Sequence, residues 1–470
     1  STSMSKEWTT LRELLLPAAT ATARGRHGRG LESALRSAIR TGQLAPGTRL
    51  PSSRDLAGQL GVARGTVTAA YGQLTAEGYL ASRRGSGTTV AGELGCTGAA
   101  PAAQPAPAPR WRFDLRPGLP ALSAFPRAEW VAATRAALAR LPDEALGYPD
   151  PAGLPELRAE LAGYLGRVRA VTVAPDDIVI THGAAEGMSL LGAILAARGD
   201  RDIALEDPGH PGQAELVRAS GLRPQAVPVD CDGIRTDVLA GTGCRAVLVT
   251  AAHQFPMGTA LHPDRRHALL TWARDRDAWV IEDDYDAEHR YDRPALRAMQ
   301  AMDPNRVVYL GSVSKTLAPA LRLGWLVLPA ALRAEVVSRK RLTDLGCSPL
   351  PQAAFAGLLR TGGYDRHLRR TRSLYRDRRD ALLAALAEHL PAWQPIGIAA
   401  GLHVLLRLPD GHDDRAVHQR LAARGVYAPP LSEYVRGHNG AFHPGLVLGY
   451  AALSADRLRA AVTEIAAALS

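Results

Sequence analysis

The chain has 470 residues, of which 46% are hydrophobic, and a formal net charge of +10. This length allows two or three domains with sizeable cores, and the composition excludes a chain that is disordered as a whole. The four cysteines lie far apart without a CxxC pair, so neither a zinc ribbon nor a disulfide framework is indicated, and we expect no metal site. No apolar run reaches membrane-spanning length and no signal-peptide pattern is present, while Ser1–Ser3 ahead of Met4 look like an expression scar. We therefore expect a cytoplasmic protein without membrane contact.

Basic residues are concentrated near the N-terminus. Met4–Ala91 contains twelve lysines or arginines and five acidic residues, a balance of +7. Such an asymmetry predicts a polyanionic partner for this region, most simply nucleic acid. The alternative is a solvated basic face in an arginine-rich protein.

Three short helices are predicted in this basic region. Apolar residues recur at helical spacing over Leu31–Ile39. Ser52 is placed to cap a second helix, with Asp55 three residues later as a variant of the capping box. A third helix over Arg64–Leu74 follows a tight glycine-containing turn, which is typical of a helix-turn-helix, and residues 79–90 indicate a two-stranded wing. Together these elements predict a winged helix.

The start of the third helix carries the residues expected to read DNA sequence. Arg64, Thr66 and Thr68 would lie at base edges in the major groove, where arginine can pair bidentately with guanine. Four further residues are expected at the DNA backbone: Ser52, Arg54 and Tyr71 as phosphate contacts, and Gly87 where the wing approaches. The alternative is a small helical domain that serves only as a protein interface.

A change in composition separates two domains. Residues 92–110 are rich in alanine and proline, so they predict a semi-extended linker between a domain at 8–91 and another at 111–470. In the second domain, helical patterns such as Glu186–Arg198 alternate with short apolar runs. The apolar runs are Ile178–Ile180, Ile203–Leu205, Ala246–Val249, Trp279–Ile281 and Val307–Leu310. This alternation predicts an α/β domain with a mostly parallel sheet covered on both faces, and residues from about 370 suit a smaller lobe.

One lysine stands in a hydroxyl-rich turn after the last of these runs. Ser312, Ser314 and Lys315 precede Arg322, and a second apolar strand is predicted over Leu323–Leu328. Burial and the neighbouring cation Arg322 would both favour the neutral amine of Lys315, the form that attacks an aldehyde. The hydroxyl groups and the guanidinium would bind a phosphate carried by that aldehyde. The alternative is a surface lysine on a turn.

The order Ser-x-Ser-Lys, then Pro319, then Arg-x-Gly resembles the pyridoxal 5'-phosphate motif of fold type I aminotransferases. The resemblance implies that Lys315 is the catalytic Schiff-base residue. It also implies that Asp283 bonds the pyridine nitrogen and that Tyr285 bonds the ring hydroxyl. Asp284 stays open as the alternative to Asp283, because a slip of one residue at a strand end reverses which side chain points inward.

Other pieces of the cofactor site are assigned through the same resemblance. Gly183, Ala184 and Ala185 form a helix start whose backbone N–H groups would bind phosphate, without the hydroxyl that the family usually adds there. His210 stands where related proteins offer a stacking aromatic residue. Phe255 stands where they offer an asparagine, which removes one polar contact with the cofactor.

The N-terminal region has its own resemblance. Leu50–Ala57 and Glu77–Leu80 are similar to the DNA-binding domain of GntR-family regulators, although Ala63 replaces the serine that usually caps the recognition helix. A GntR-like winged helix, a proline-rich linker and an aminotransferase-like domain in one chain resemble the MocR subfamily of these regulators, and Arg116–Pro120 is one of several matching motifs. The resemblance implies a homodimer in which Tyr148 completes the phosphate site of the neighbouring subunit.

The resemblance leaves open whether the second domain turns over substrate. Val447 stands where aminotransferases carry the arginine that clamps the substrate carboxylate. We therefore expect a pyridoxal-phosphate-dependent transcriptional regulator that binds double-stranded operator DNA and senses the cofactor, an amine or an amino acid without appreciable turnover. The alternative is a DNA-tethered aminotransferase with real turnover, which Lys315, Asp283 and Tyr285 favour. The effector, the operator, the target genes and the sign of regulation are not determined by the sequence.

Overall fold

The structure is a computed structural model that describes residues 11, 13–17, 27–83, 85–92, 105–437 and 442–470. The chain divides into two compact units, residues 1–108 and 109–470. Most of the predicted linker, residues 93–104, and Arg84 of the predicted wing lie outside the described residues. Within the described ranges, no helix is long and apolar enough to cross a membrane.

The first unit contains a helical bundle and a β-hairpin. Its elements are α1 (His27–Arg40), α2 (Ser53–Leu60), α3 (Arg64–Ala76), β1 (Leu80–Arg83) and β2 (Gly87–Val90). The two strands are antiparallel, with Leu80 opposite Val90. Leu35, Leu56 and Leu74 bring α1, α2 and α3 together in one core. The predicted winged helix is confirmed.

The helix ends follow the predicted capping chemistry. The Ser52 side chain accepts a hydrogen bond from the backbone N–H of Asp55 at 3.2 Å, and its hydroxyl donates to the Asp55 carboxylate at 2.6 Å. Gly61 ends α2 in the left-handed conformation that favours glycine. Ala63 occupies the cap position of α3 and supplies no side-chain hydrogen bond, so this helix starts with one less satisfied N–H group.

The second unit alternates strands and helices along most of its length. Its strands are β3 (Phe113–Asp114), β4 (Ile178–Thr181), β5 (Asp202–Asp207), β6 (Arg223–Asp230), β7 (Gly233–Ile234), β8 (Ala246–Val249), β9 (Trp279–Asp283), β10 (Val307–Ser312), β11 (Gly324–Val327), β12 (Gln394–Ile396), β13 (His403–Arg407), β14 (Val426–Tyr427) and β15 (Gly445–Gly449). Its helices are α4 (Arg127–Arg140), α5 (Pro155–Arg169), α6 (Ala184–Ala197), α7 (Pro211–Ala219), α8 (Thr236–Ala240), α9 (Pro263–Arg276), α10 (Ala330–Asp344), α11 (Pro349–Arg360), α12 (Gly363–His389), α13 (Asp414–Ala422) and α14 (Ala455–Leu469).

An eight-stranded sheet forms the larger lobe of this unit. Its order is β4-β11-β10-β9-β8-β5-β6-β7. The pairs within β10-β9-β8-β5-β6 are parallel, whereas β11 is antiparallel to both β10 and β4. Strand β11 reverses because a turn, residues 313–323, joins it to β10 in place of a crossover helix. The predicted mostly parallel sheet is confirmed.

Both faces of this sheet are covered by helices. Val179 and Leu248 pack into the core on one face, and Val247, Val280 and Tyr309 pack into the cores on the other. Successive strand residues alternate between the faces, so a strand buried on both sides is apolar throughout. Polar side chains are consequently displaced to the strand ends.

The smaller lobe is built from both ends of the second unit. Strands β12, β13 and β15 form an antiparallel sheet whose core includes Leu386, Leu406 and Leu458. Phe113 and Leu115 belong to the same core, and β3 pairs in parallel with β14. The segment around Phe113 thus adds to the lobe predicted at about 370–470, and a two-residue strand has no periodicity from which the sequence could predict this.

Candidate functional site

A cavity of about 460 Å³ lies where strands β4, β9 and β10 of the large sheet end. The parallel strands direct their carboxyl ends to one edge, so residues from distant parts of the chain meet there. The predicted cofactor-binding residues that line the cavity are Ala184, Ala185, His210, Asp283, Tyr285, Ser312, Ser314, Lys315 and Arg322. Tyr148 does not line the cavity, and 89% of its surface is exposed.

Lys315 follows β10 and is partly buried in the cavity wall. Its Nζ atom donates a hydrogen bond to the carbonyl oxygen of Gly118 at 2.5 Å. Burial lowers the pKa of the Lys315 ammonium, while the carboxylates of Asp286 and Asp283 act in the opposite direction. Burial thus acts on this pKa in the predicted direction, whereas the predicted effect of Arg322 is not among its causes.

The two candidate aspartates at the end of β9 have different surroundings. Asp283 lines the cavity, and burial together with the charge of Asp284 raises its pKa to about 7. The Asp284 carboxylate is buried on the other side, where it accepts hydrogen bonds from Arg169 Nε at 2.7 Å and Nη2 at 3.1 Å and from the Tyr309 hydroxyl. Only Asp283 of this pair therefore offers its carboxylate to the cavity.

Tyr285 presents an aromatic hydroxyl near Asp283. The hydroxyl donates to the carbonyl oxygen of His253 at 2.9 Å, and the His253 ring in turn bonds the buried carboxylate of Asp286 at 2.9 Å. Phe255 packs edge-on against Tyr285, with ring centroids 6.2 Å apart. The position at which the family carries an asparagine is consequently apolar here.

The opposite end of the cavity combines a helix start with a guanidinium. Gly183 precedes α6 with a φ of +94°, and a Cβ there would lie 2.7 Å from Nη2 of Arg322. Arg322 donates to the carbonyl oxygens of His182 at 2.5 Å and Pro319 at 3.3 Å. The free N–H groups of the helix start and the fixed cation make this end suitable for an anion.

Several lining residues were not predicted. Thr250 lies after β8, and its hydroxyl donates to the buried carboxylate of Glu206 at 2.6 Å. Tyr427 and Tyr434 reach the cavity from the smaller lobe. Arg116 and the two residues after it also line the cavity. Their motif was visible in the sequence, but nothing in it indicated that this segment crosses to the strand ends.

In the first unit, most of the predicted DNA contacts lie on the surface. Arg54, Arg64 and Thr68 are exposed and Thr66 is partly exposed. Ser52, Thr68 and Gly87 line a groove of about 750 Å³ together with Arg49. The side chain of Tyr71 is 7% exposed, and its hydroxyl donates to the Pro51 carbonyl at 3.0 Å. Tyr71 thus holds the loop before α2, and its contact with DNA stays a prediction.

Comparison with known proteins matches both units. Residues 28–90 match the family of bacterial regulatory proteins of the gntR type, and residues 122–465 match aminotransferase class I and II. The chain is 36% identical to the HTH-type pyridoxine biosynthesis transcriptional regulator PdxR of Corynebacterium glutamicum, over 94% of this chain and 95% of that protein. It is 32% identical to the probable rhizopine catabolism regulatory protein MocR of Rhizobium meliloti, over 94% and 93%. A kynurenine aminotransferase from Pyrococcus horikoshii superposes with a TM-score of 0.69 at 25% identity, covering 77% of this chain and 91% of that one.

These matches define a class of protein, in which a GntR helix-turn-helix unit precedes a unit with the fold of class I and II aminotransferases. Its relatives over nearly the whole chain are HTH-type transcriptional regulators. The chain belongs to the MocR subfamily of GntR-type regulators. The interpretation as a transcriptional regulator is thereby confirmed and is supported over the alternative of a DNA-tethered aminotransferase.

Proposed function

We propose that the domain at 8–91 binds duplex operator DNA and that the domain at 111–470 binds pyridoxal 5'-phosphate through Lys315, with the linker at 92–110 between them. The cofactor or a small amine bound beside it would be the regulatory signal. The name of the Corynebacterium glutamicum relative, a regulator of pyridoxine biosynthesis, agrees with a signal from this cofactor.

The residues around the cavity fit this cofactor. A partly buried amine, a carboxylate with a raised pKa and a cationic helix start correspond to the aldehyde, the ring nitrogen and the phosphate of pyridoxal phosphate. Lys315 would hold the aldehyde carbon, Asp283 the ring nitrogen, Tyr285 the ring oxygen, and Ser312, Ser314 and Arg322 the phosphate. The cofactor, when bound, supplies electrophilic carbonyl chemistry toward amines. The kynurenine aminotransferase with the same fold was solved with PMP.

Regulation without appreciable turnover is supported most by the surroundings of Val447. This side chain is fully buried and packs against Phe255, Leu405 and Leu431. Val447 therefore places an apolar group where aminotransferases carry an arginine. That arginine would hold the substrate carboxylate during repeated amino-group transfer. An amine could still bind beside Lys315, but it would lack the usual anchor for catalysis.

A homodimer is proposed for the same chain. Leu146 and Tyr148 are exposed next to the loop 149–151, whose backbone packs against Gly346. Leu342 and Leu345 are exposed near the same glycine. Large apolar side chains clustered on a surface favour a protein contact, and a second copy would cover them while directing Tyr148 into the neighbouring phosphate site.

The proposal is tested by linking the two activities in one experiment. Genomic fragments retained by the purified chain would be sequenced to obtain an operator, which would then be titrated with and without pyridoxal phosphate. We expect operator affinity to change on cofactor addition in the wild type and not in Lys315→Ala. Reciprocity requires that operator change cofactor affinity by the same factor.

Amino-group transfer from a panel of amino acids would be measured on the same samples. Single-turnover or no transfer, together with cofactor-dependent operator binding, supports the regulator. Operator affinity that is indifferent to cofactor, combined with multiple turnovers on any amino acid, would replace it with the DNA-tethered aminotransferase.

A further inference from the structure

The cavity contains a cation that the cofactor does not require. We infer that Arg116 binds the carboxylate of an amino-acid effector and so replaces the arginine missing at Val447. This inference rests on the proposed cofactor site, and it narrows the signal to amines that carry a carboxylate.

The backbone directly before Arg116 is held by hydrogen bonds to two neighbouring elements. The Leu115 N–H donates to the Tyr427 carbonyl at 2.9 Å, and the Gly449 N–H donates to the Leu115 carbonyl at 2.7 Å. A Cβ on Gly449 would lie 2.1 Å from the Arg116 carbonyl oxygen, so the segment packs directly on β15. Arg116 is thus presented to the cavity by a fixed backbone rather than by a free loop.

The guanidinium is oriented by two neighbours that leave most of its donors free. It lies over the Tyr427 ring at 5.3 Å from the centroid, and Tyr427 itself lines the cavity. Its Nη2 atom lies 3.4 Å from the Asp114 carboxylate. Stacking uses the face of the guanidinium, whereas carboxylate recognition uses the N–H groups along its edge. With 54% of its side chain exposed, Arg116 can reach an incoming ligand.

The other cations of the cavity have assigned partners. Among the described residues that line it, the lysines and arginines are Arg116, Lys315 and Arg322. Arg322 is fixed at the helix start by its bonds to the His182 and Pro319 carbonyls, and Lys315 is the cofactor amine. A carboxylate attached to an amine that reacts beside Lys315 therefore has Arg116 as its available bidentate partner.

The position of Arg116 gives this contact a regulatory meaning. Arg116 stands two residues before Gly118, whose carbonyl accepts the hydrogen bond from Lys315, and shortly after residue 109, where the second unit begins. A carboxylate bound to Arg116 would therefore contact the segment of the second unit that directly follows the linker.

The test compares amino acids with the amines that lack only the carboxylate. The full-length chain loaded with pyridoxal phosphate would be titrated with L-alanine and ethylamine, and with L-phenylalanine and phenethylamine, following the cofactor absorbance. We expect the wild type to prefer each amino acid, and Arg116→Gln to lower affinity for the amino acids by about 10- to 100-fold, the effect of losing a charged hydrogen-bonded pair, with little change for the amines.

Two variants make the result specific. Arg116→Lys keeps the charge without the bidentate geometry and should restore only part of the preference. Arg112→Gln changes a nearby arginine that is 64% exposed and paired with Glu464 outside the cavity, and it should bind like the wild type. Thermal unfolding of each variant would verify that it is folded.

The outcomes separate this inference from the cofactor site beneath it. A wild-type chain that acquires no cofactor absorbance overturns the cofactor site and the inference with it. A loaded wild type that does not prefer amino acids over amines, or a loaded Arg116→Gln that keeps the wild-type preference, overturns the role of Arg116 and leaves the cofactor site standing.

Discussion

The Nζ atom of Lys315 is bonded to the carbonyl oxygen of Gly118, a residue 197 positions earlier in the chain. Gly118 has a φ of +80°, and a Cβ on it would lie 2.9 Å from the lysine nitrogen. The lysine amine thus holds a segment of the smaller lobe by a proton that it would give up on forming a covalent bond to a carbonyl carbon. If the proposed cofactor attaches to Lys315, its attachment would therefore compete with the anchoring of this segment.

Attachment of the cofactor can be assigned among very few residues. The sequence has three lysines, Lys6, Lys315 and Lys340. Lys340 is buried and paired with Glu186 at 2.6 Å and Asp344 at 2.7 Å, which keeps it protonated. We expect borohydride reduction and peptide mapping to find the pyridoxyl group on Lys315. A label on Lys340 in the folded wild type, or a stoichiometric label in Lys315→Ala, would contradict the cofactor site.

Replacing Asp283 or Asp284 by asparagine should affect different properties of the protein, cofactor affinity in the first case and stability in the second. Asp283→Asn is expected to lower cofactor affinity roughly ten- to hundredfold by removing a charged partner, with little effect on folding. Asp284→Asn leaves the buried guanidinium of Arg169 uncompensated and should destabilise the protein by about 3–5 kcal/mol. Cofactor titration and denaturant unfolding of both variants measure the two effects. If Asp284→Asn lowered cofactor affinity and Asp283→Asn destabilised the protein, Asp284 would be the residue that faces the cofactor.

Substitutions of Arg64 and Arg54 should distinguish recognition of the DNA sequence from affinity for any duplex DNA. If Arg64 pairs with guanine, Arg64→Ala will lower discrimination between the operator and random duplex by about 1–3 kcal/mol. Arg54→Ala should weaken binding to the operator and to random duplex equally. It should also reduce the salt dependence of affinity by the amount that roughly one phosphate contact contributes. Binding titrations at several salt concentrations provide both numbers. Equal weakening of both duplexes by Arg64→Ala would reduce Arg64 to a phosphate contact.

The uncapped start of α3 offers a stabilising substitution. Ala63 has the extended backbone conformation of a cap residue, with φ −64° and ψ 140°, but no side-chain acceptor. Ala63→Ser should stabilise the first unit by about 1 kcal/mol, because its hydroxyl can accept from an N–H group of the first turn. Hydrogen exchange of the α3 amides, compared between the purified variant and the purified wild type, measures the change in stability. Ala76→Ser at the other end of α3 is the matched control and should give no gain.

Glu206 should make the cofactor-free protein lose stability as pH rises. Burial raises the pKa of Glu206 from 4.5 to about 7, although hydrogen bonds from Thr250 oppose the shift. A raised pKa means that folding favours the protonated form, so its contribution is complete below pH 4.5 and is lost as pH rises through about 7. The loss amounts to at most ~3 kcal/mol.

Glu206→Gln should remove that part of the pH dependence, because the amide stays neutral. Denaturant unfolding followed by tryptophan fluorescence, at several pH values between 4.5 and 8, compares the two proteins. A constant difference between them across this range would show that Glu206 titrates in the folded protein as it does in the unfolded chain.

The fold was predictable where local patterns carry it. The strands before Asp283 and Lys315 are continuous apolar runs, and the Ser52 cap and the Gly61 stop are single-residue signals, so these elements were found from the sequence. The wing was recognised from its glycines and β-branched residues. Such features depend on neighbours within a few positions along the chain.

The parts that were missed depend on distant neighbours. Nothing near Arg116 in the sequence indicates that Tyr427 and Gly449 fix it at the cavity. The choice between Asp283 and Asp284 is also set from a distance, by Arg169 on α5 and Tyr309 on β10. The sequence predicts that burial and Arg322 both lower the pKa of Lys315, but only the tertiary structure shows that burial is the larger cause and that Asp286 and Asp283 oppose it.

The pairing of β3 with β14 has a consequence for the order in which the protein folds during synthesis. Phe113 is aligned with Val426, about 300 residues later in the chain. The first unit forms a separate compact unit and can fold early, whereas the smaller lobe cannot close until β14 has left the ribosome. A nascent or C-terminally truncated chain would then present a folded DNA-binding unit without the strand that supports Arg116 and Gly118. Proteolytic fragments that end before residue 426 should accordingly bind DNA without responding to the cofactor.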